Sequence, residues 1–160
     1  MNMHKYEKWW MLFGSGTLLI FLIVVGVSAF YMGSTPPYCA TTLDPENVRE
    51  HDSFQELGLK QLDDNEYSLT ILASAFDYDV GNPEKVIEIP KGASVSIYAT
   101  TTDVIHGFEI AGTNANMMLE PGYVSTNRYT FKNAGEYTLL CNEYCGVGHH
   151  LMAATIKVVE

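Results

Sequence analysis

The chain has 160 residues, 47% of them hydrophobic and 18% charged, and its formal net charge is −10 at pH 7. This length accommodates one domain with at most a short appendage. The negative charge repels nucleic acid, so we expect no nucleic-acid partner. The charge either steers a basic protein partner toward the surface or simply keeps the domain soluble, and charge by itself does not decide between these.

The first predicted element is an apolar helix near the N-terminus. Residues 11–32 contain no Asp, Glu, Lys, Arg or His. As a helix this run is about 33 Å long, enough to cross a hydrocarbon core of about 30 Å. It is longer than the apolar region of a cleaved signal peptide, and residues 29–32 contain no clear cleavage motif. We therefore predict a retained transmembrane helix within a first segment, residues 1–33.

Basic residues predict how this helix is oriented. Lys5 and Lys8 precede it, and the next Lys or Arg along the chain is Arg49. The positive-inside rule then places the N-terminus in the cytoplasm and residues 33–160 on the outer, periplasmic or extracellular, face of the cell membrane. This outer portion has 7 Lys and Arg (9 minus Lys5 and Lys8) against 18 Asp and Glu (19 minus Glu7), a net charge of −11.

Residues 34–65 are predicted to form a linker that contains one short helix. Asp44 is a typical helix N-cap, and Pro45 suits the first helical position. The helix is expected to end near Gly58. Cys39 lies in the same segment, and the sequence assigns it no role.

Residues 66–160 have the pattern of an all-β domain. Short runs of alternating apolar and polar residues predict strands, and Gly-, Pro- and Asn-containing turns separate them. The predicted strands are Tyr67–Phe76, Val86–Ile89, Val95–Thr100, His106–Ile110, Val124–Phe131, Glu136–Cys141 and Ala153–Val159. So many short strands, with no long helix between them, predict an antiparallel Greek-key sandwich or barrel.

The densest group of metal-binding residue types lies between the last two predicted strands. Cys141, Cys145, His149 and Met152 fall within twelve residues. Thiolate and thioether are soft donors that, together with imidazole, favour copper, whereas a zinc site would not use the methionine. One thiolate with His and Met suits a mononuclear blue-copper site, and two thiolates four residues apart can instead bridge two copper ions. Outside the cytoplasm a disulfide between the two cysteines is the alternative.

A second imidazole is available upstream, at the start of a predicted strand. His106 follows Asp103-Val104-Ile105. A single histidine in a β domain is more often a structural residue than a ligand. Beside a loop that carries Cys, His and Met, however, a ligand role is the better interpretation.

Together these residues resemble a known family. The run Cys141-x-Glu143-x-Cys145-Gly146-x-x-His149-x-x-Met152, with Asp103-Val104-Ile105-His106 upstream, resembles subunit II of cytochrome c oxidase. The resemblance covers the whole chain, from anchor and linker to β domain and motif. It implies a cupredoxin-like fold for residues 66–160. A single anchor helix, rather than a helical hairpin, resembles the B-type branch of the heme-copper oxidases.

The resemblance also implies a cofactor and its ligands, namely the dinuclear copper centre CuA. Cys141 and Cys145 would be the bridging thiolates, and His106 and His149 would each bind one copper ion. The weak ligands would be Met152 and, on the other copper, the backbone carbonyl of Glu143.

The implied function is electron entry into a respiratory terminal oxidase. Electrons would come from cytochrome c and pass to the heme of a partner, subunit I. That subunit would contain heme and CuB and reduce O₂ to water while protons are pumped. This chain would carry no catalytic group of its own.

The resemblance implies that electrons enter through a surface tryptophan near the copper, but residues 66–160 contain no tryptophan. Both tryptophans of this chain, Trp9 and Trp10, precede the predicted helix. Phe76 and Tyr78 are the candidates for an aromatic entry patch, with simple packing as the alternative. Asp103 is a candidate for orienting the His106 segment.

Three other functions fit part of the pattern. A quinol oxidase subunit II shares the fold but lacks the copper ligands. A nitric-oxide or nitrous-oxide reductase system can carry the same motif on a membrane-anchored domain. A mononuclear cupredoxin carrier or copper-delivery protein needs one cysteine, which leaves the second thiolate without a role.

Overall fold

The structure is a computed structural model, and it describes residues 3–31 and 37–160. The chain forms two compact units, Met1–Thr35 and Pro36–Glu160. Met32 and Gly33, at the end of the predicted first segment, lie outside the described residues, as do residues 34–36 of the predicted linker.

The first unit is a continuous apolar helix. Helix α1 spans Lys5–Gly26 and continues as a π-helical turn, Val27–Tyr31. His4 caps its N-terminus, since its side chain accepts a hydrogen bond from a first-turn amide while Glu7 accepts one from the His4 amide. Within these 27 residues an 18-residue window has a mean hydropathy of 2.3, and none of that window is buried. At about 40 Å long, the helix is a candidate membrane span by length and composition.

The second unit is a sandwich of two β-sheets. Its described residues form eleven strands: β1 Tyr38–Thr42, β2 Gly58–Asp63, β3 Glu66–Ser74, β4 Asp77–Asp79, β5 Val86–Pro90, β6 Ser94–Thr101, β7 His106–Ile110, β8 Asn116–Leu119, β9 Tyr123–Thr130, β10 Gly135–Leu140 and β11 Ala153–Val159. One sheet has the order β1-β9-β6-β3-β2, with β4 paired to β3, and the other has the order β5-β11-β10-β7-β8. The predicted all-β sandwich is confirmed.

The core lies between the sheets because side chains alternate across each strand. On β6, Val95, Ile97 and Ala99 are fully buried, and Ile87 and Ile89 of β5 occupy the same core. Each buried aliphatic side chain of this size stabilises the fold by about 1.5–3 kcal/mol relative to full exposure. This packing makes the sandwich a rigid support for the loops at its ends.

The prediction that all strands are antiparallel is wrong for two pairs. Strand β3 pairs with β6 in parallel, and β5 pairs with β11 in parallel. Parallel neighbours need a long crossover connection. Between Ser74 and Ser94 the chain forms β4 and then crosses to the other sheet as β5, which provides that connection.

Residues 34–65, predicted as a linker, contain two strands of the sandwich. Strand β1 pairs with β9, and β2 pairs with β3. Both are edge strands with largely exposed side chains, so they lack the alternation that marks an inner strand. The predicted short helix is two 3₁₀ turns, Pro45–Glu50 and Asp52–Phe54, and Asp44 caps the first of them as predicted.

Candidate metal centre

The soft-donor residues meet at one end of the second sheet. Strand β10 ends at Leu140, and the loop from Cys141 to Met152 connects it to β11, its antiparallel partner. Strand β7, which pairs with β10, begins at His106. A short 3₁₀ turn, His149–Leu151, closes the loop. Three paired strands therefore hold the histidine and the loop in fixed positions.

The donor atoms are grouped around two sulfur atoms. The Sγ atoms of Cys141 and Cys145 are 3.8 Å apart. The Glu143 carbonyl oxygen is 3.1 Å from the Cys141 sulfur. On the other side, His149 Nδ1 is 3.7 Å and Met152 Sδ 3.8 Å from the Cys145 sulfur. Each sulfur thus has its own additional donors.

His106 completes the group from β7. One of its ring nitrogens lies within 4.8 Å of both cysteine sulfurs, as expected of metal ligands. The ring is fully buried, and its Nε2 donates to Asp103 Oδ1 at 2.8 Å. Among the described residues, His106 Nδ1 is the one buried side-chain nitrogen or oxygen without a hydrogen-bond partner. A buried nitrogen without a partner is unfavourable unless something binds it, and a metal ion fits that requirement.

The two cysteines are thiols rather than a disulfide. Their sulfurs are too far apart for an S–S bond of about 2.05 Å. Burial, followed by the hydrogen bond and charge of Cys141, raises the pKa of the Cys145 thiol above its usual value. Two adjacent thiolates therefore need a nearby cation, and two metal–thiolate bonds of about 2.3 Å can span their separation.

The predicted ligands thus lie together: His106, Cys141, Cys145, His149, Met152 and the Glu143 carbonyl. Two thiols, two imidazoles, a thioether and a carbonyl fit copper better than a hard cation. Their role as ligands stays a prediction.

Asp103 links the histidine to a neighbouring hairpin. Its carboxylate accepts from His106 Nε2 and from the amides of Val104 and Ala75. Burial raises its pKa, but these hydrogen bonds, that of His106 foremost, hold the pKa of Asp103 below its usual range. A hydrogen bond from Nε2 to this carboxylate leaves the lone pair of the ring on Nδ1, the buried nitrogen that has no partner.

Phe76, one of the two predicted entry residues, lies against the loop. The predicted strand Tyr67–Phe76 ends at Ser74, and the chain turns back through Phe76 with φ +67. The Phe76 ring is 39% exposed, and a Cβ added at Gly148 would lie 2.5 Å from it. Glycine at position 148 therefore allows the ring to cover the loop.

Tyr78, the other predicted entry residue, is fully buried, so its placement in a surface patch is wrong. It lies on β4 between Asp77 and Asp79 and points into the core, because strand alternation directs its neighbours outward. Burial, and then the charges and hydrogen bond of the nearby cysteines, raises the pKa of Tyr78 far above its ordinary value. Its hydroxyl donates to the Gly107 carbonyl.

Gly107 is a residue of the site that sequence reasoning missed. Its amide donates to the Cys141 sulfur at 3.3 Å. A Cβ added there would lie 2.5 Å and 2.7 Å from the amide nitrogens of Asn142 and Glu143. A glycine inside a predicted strand is itself a signal of such close backbone approach.

The outer surface of the loop is largely apolar. Tyr144 is 79% exposed, Val147 88% and Leu151 72%. Side chains of this size, adjacent in one loop and exposed, are typical of a protein contact surface. His150 is also exposed. The Tyr144 ring lies beside the His149 ring, with their centroids 5.8 Å apart.

A β-sandwich that carries a loop of soft donors at one end defines a cupredoxin-like domain. The family model described as "Cytochrome C oxidase subunit II, periplasmic domain" matches residues 58–159. A cytochrome c oxidase subunit 2 of Thermus thermophilus is 40% identical over 159 residues, which are 97% of this chain and 92% of the relative. A second subunit 2 from Thermus thermophilus is 46% identical over 120 residues, 74% of this chain and 86% of the relative.

Among solved structures, a chain of a heme-copper terminal oxidase dimer aligns with a TM-score of 0.81 and 36% identity. The alignment covers 97% of this chain and all of that one. The chain therefore belongs to the cytochrome c oxidase subunit II family. As subunit II of a heme-copper oxidase, it is part of an oxidoreductase complex whose subunit I is its partner. The periplasmic-domain match and the apolar helix indicate a single-pass membrane protein.

Proposed function

We propose that this chain is the electron-entry subunit of a respiratory terminal oxidase and that its loop holds the dinuclear copper centre CuA. When bound, that centre supplies one-electron transfer from cytochrome c toward the heme of subunit I, where heme and CuB reduce O₂ to water and protons are pumped. The proposal is supported chiefly by the pair of free cysteine sulfurs 3.8 Å apart, each with its own further donors.

Six residues of this chain are the proposed ligands of two copper ions. Cys141 and Cys145 are the proposed bridging thiolates, and His106 and His149 each provide one imidazole. Met152 and the Glu143 carbonyl, one near each sulfur, are the proposed weak ligands, which adjust the potential without imposing a geometry. Asp103 keeps the His106 ring in the tautomer that frees Nδ1.

Burial of these donors favours a low reorganisation energy for electron transfer. His106, Cys141 and Met152 are almost completely buried. Because these three donors are buried beside paired strands, their positions need not change between oxidation states. A mononuclear copper carrier would leave one of the two thiols unused, so the second sulfur favours the dinuclear interpretation over that alternative.

The outer surface supports docking of a redox partner. The exposed side chains of Tyr144, Val147 and Leu151 provide apolar contact above the site. The net charge of −11 outside the helix steers a basic cytochrome c toward this domain. Phe76 is the proposed entry residue, since its partly exposed ring rests on the metal loop.

We further propose that the N-terminus is cytoplasmic and that the β domain faces the periplasm or the exterior. Lys5 and Lys8 before the helix, with no further Lys or Arg until Arg49, support this orientation. The one apolar helix found among residues 3–31 and 37–160 supports membership of the B-type branch.

The test is electron transfer into the purified complex of this chain and subunit I. Reduced cytochrome c should reduce the complex rapidly, and the second-order rate should fall as ionic strength rises, because salt screens steering. A quinol donor should be inactive. Quinol oxidation without cytochrome c activity would contradict the proposal, and a rate independent of salt would refute the steering by charge. Nitric-oxide or nitrous-oxide reduction in place of O₂ reduction would favour the reductase alternative.

A further inference from the structure

Tyr78 holds the backbone next to the metal loop from inside the core. It is fully buried on β4, and its hydroxyl donates to the Gly107 carbonyl at 2.5 Å. Its ring packs edge-on against Phe108, with ring centroids 6.5 Å apart. Phe108 follows Gly107 directly, so Tyr78 holds both the Gly107 carbonyl and the Phe108 ring.

On β4, both residues that flank Tyr78 form ion pairs. Asp79 forms an ion pair with Arg49 at 2.7 Å, and Asp77 forms one with Lys85. Strand β4 also pairs with β3. The Tyr78 hydroxyl is therefore a donor held in a fixed position relative to β7.

Gly107 connects this donor to a cysteine. Its amide donates to the Cys141 sulfur at 3.3 Å, and its Cα faces the backbone of Asn142 and Glu143. The residue is thus confined on three sides, by Tyr78, by the metal loop and by the cysteine sulfur. The carbonyl and the amide of Gly107 belong to adjacent peptide groups joined at its Cα, so a shift of the carbonyl changes the backbone torsions at Gly107 and with them the hydrogen bond to Cys141.

We propose that Tyr78 is a positioning residue that holds the Gly107 amide on the Cys141 sulfur and thereby sets the reduction potential of the metal centre. The inference rests on the proposed function. Hydrogen bonds to a cysteine sulfur tune the potential of copper sites, because the donor draws electron density from the thiolate. Less density on the sulfur favours the reduced form, so losing the hydrogen bond lowers the potential.

The test compares Tyr78→Phe with Tyr137→Phe in the full-length, copper-loaded protein. Each substitution removes one tyrosine hydroxyl that donates to a backbone carbonyl, Gly107 in one case and Asn133 in the other. Both variants keep the aromatic ring. Copper per chain, the absorption spectrum and the midpoint potential are measured for each.

Tyr78→Phe should keep two copper ions while its potential falls, shifting the oxidised-to-reduced ratio by about three- to tenfold at a fixed potential. Tenfold is about 59 mV for a one-electron couple. Tyr137→Phe should match the unmodified protein. An unchanged potential in copper-loaded Tyr78→Phe overturns the inference and leaves the proposed function intact. Failure of the unmodified protein to bind two copper ions overturns the proposed function itself.

A second measurement applies where Tyr78→Phe does not fold or load copper. In the reduced, unmodified protein, NMR hydrogen exchange should show a slowly exchanging Tyr78 hydroxyl proton and a protected Gly107 amide. Rapid exchange of either proton would overturn the inference, because the hydrogen-bonded chain from Tyr78 to Cys141 would then not persist in solution.

Discussion

Replacing Gly107 by alanine tests how closely β7 approaches the metal loop. The added Cβ would lie 2.5 Å from the Asn142 amide nitrogen and 2.7 Å from that of Glu143. Reaching an ordinary contact of 3.4 Å requires backbone shifts of about 0.9 and 0.7 Å. The Asn142 side chain, 2.0 Å away, can rotate, but the two backbone atoms cannot move without carrying Cys141 and the Glu143 carbonyl with them.

The expected cost of Gly107→Ala is about 2–4 kcal/mol of unfolding free energy, from overpacking and a weakened hydrogen bond to Cys141. The variant should also fail to hold two copper ions. Gly112→Ala is the matched control: its φ is +79 with nothing within 4 Å, so only backbone strain of about 1–2 kcal/mol is expected, with full copper loading. Denaturant unfolding and copper analysis check both. Full loading of Gly107→Ala with a loss below 1 kcal/mol would refute the close approach.

Three further predictions concern single side chains. Cys145→Ser should lose the dinuclear centre, because a hydroxyl does not replace a bridging thiolate, whereas Cys39→Ser, on exposed β1, should keep both copper ions by metal analysis. Met152→Leu should keep both ions and shift the midpoint potential; losing them would mean that the thioether is more than a weak ligand. Burial raises the pKa of Asp79, but the hydrogen bonds from Arg49 and from the Gly81 amide, together with the Arg49 charge, hold the pKa below its usual value. The stability from Asp79, at most about 1 kcal/mol for a partly exposed pair, is therefore present above its unfolded pKa of about 3.9 and lost as pH falls through the lower folded value. Asp79→Asn should thus be less stable than the unmodified protein at pH 7 and equal to it near pH 2 in urea unfolding; a gap independent of pH would contradict this.

The inner strands and the metal loop could be predicted from sequence because their signals are local. Alternation in Val95–Tyr98 predicts a strand with one buried face, and these residues lie within β6. The spacing of Cys141, Cys145, His149 and Met152 places their donors in one loop, and the structure brings them together. His106 was found by its residue type, and its unpartnered Nδ1 supports the same role.

The features that sequence did not predict depend on partners distant in the chain. Strands β1 and β2 have mostly exposed side chains, so only their pairing with β9 and β3 identifies them. Tyr78 was a candidate for the entry patch, and only the pairing of β4 with β3 shows that its side chain points inward. The function of Gly107 depends on Cys141, 34 residues away. Local patterns contain no information on such approaches.

Copper stoichiometry tests the central claim most directly. The purified full-length chain, with its cysteines reduced, is titrated with copper while the bound metal and the absorption spectrum are followed. Two copper ions per chain, with the purple colour of a thiolate-bridged pair, are expected from the two sulfurs and their separate donors. One copper ion per chain with a single intense blue band would contradict the dinuclear site and assign the domain to the mononuclear carriers.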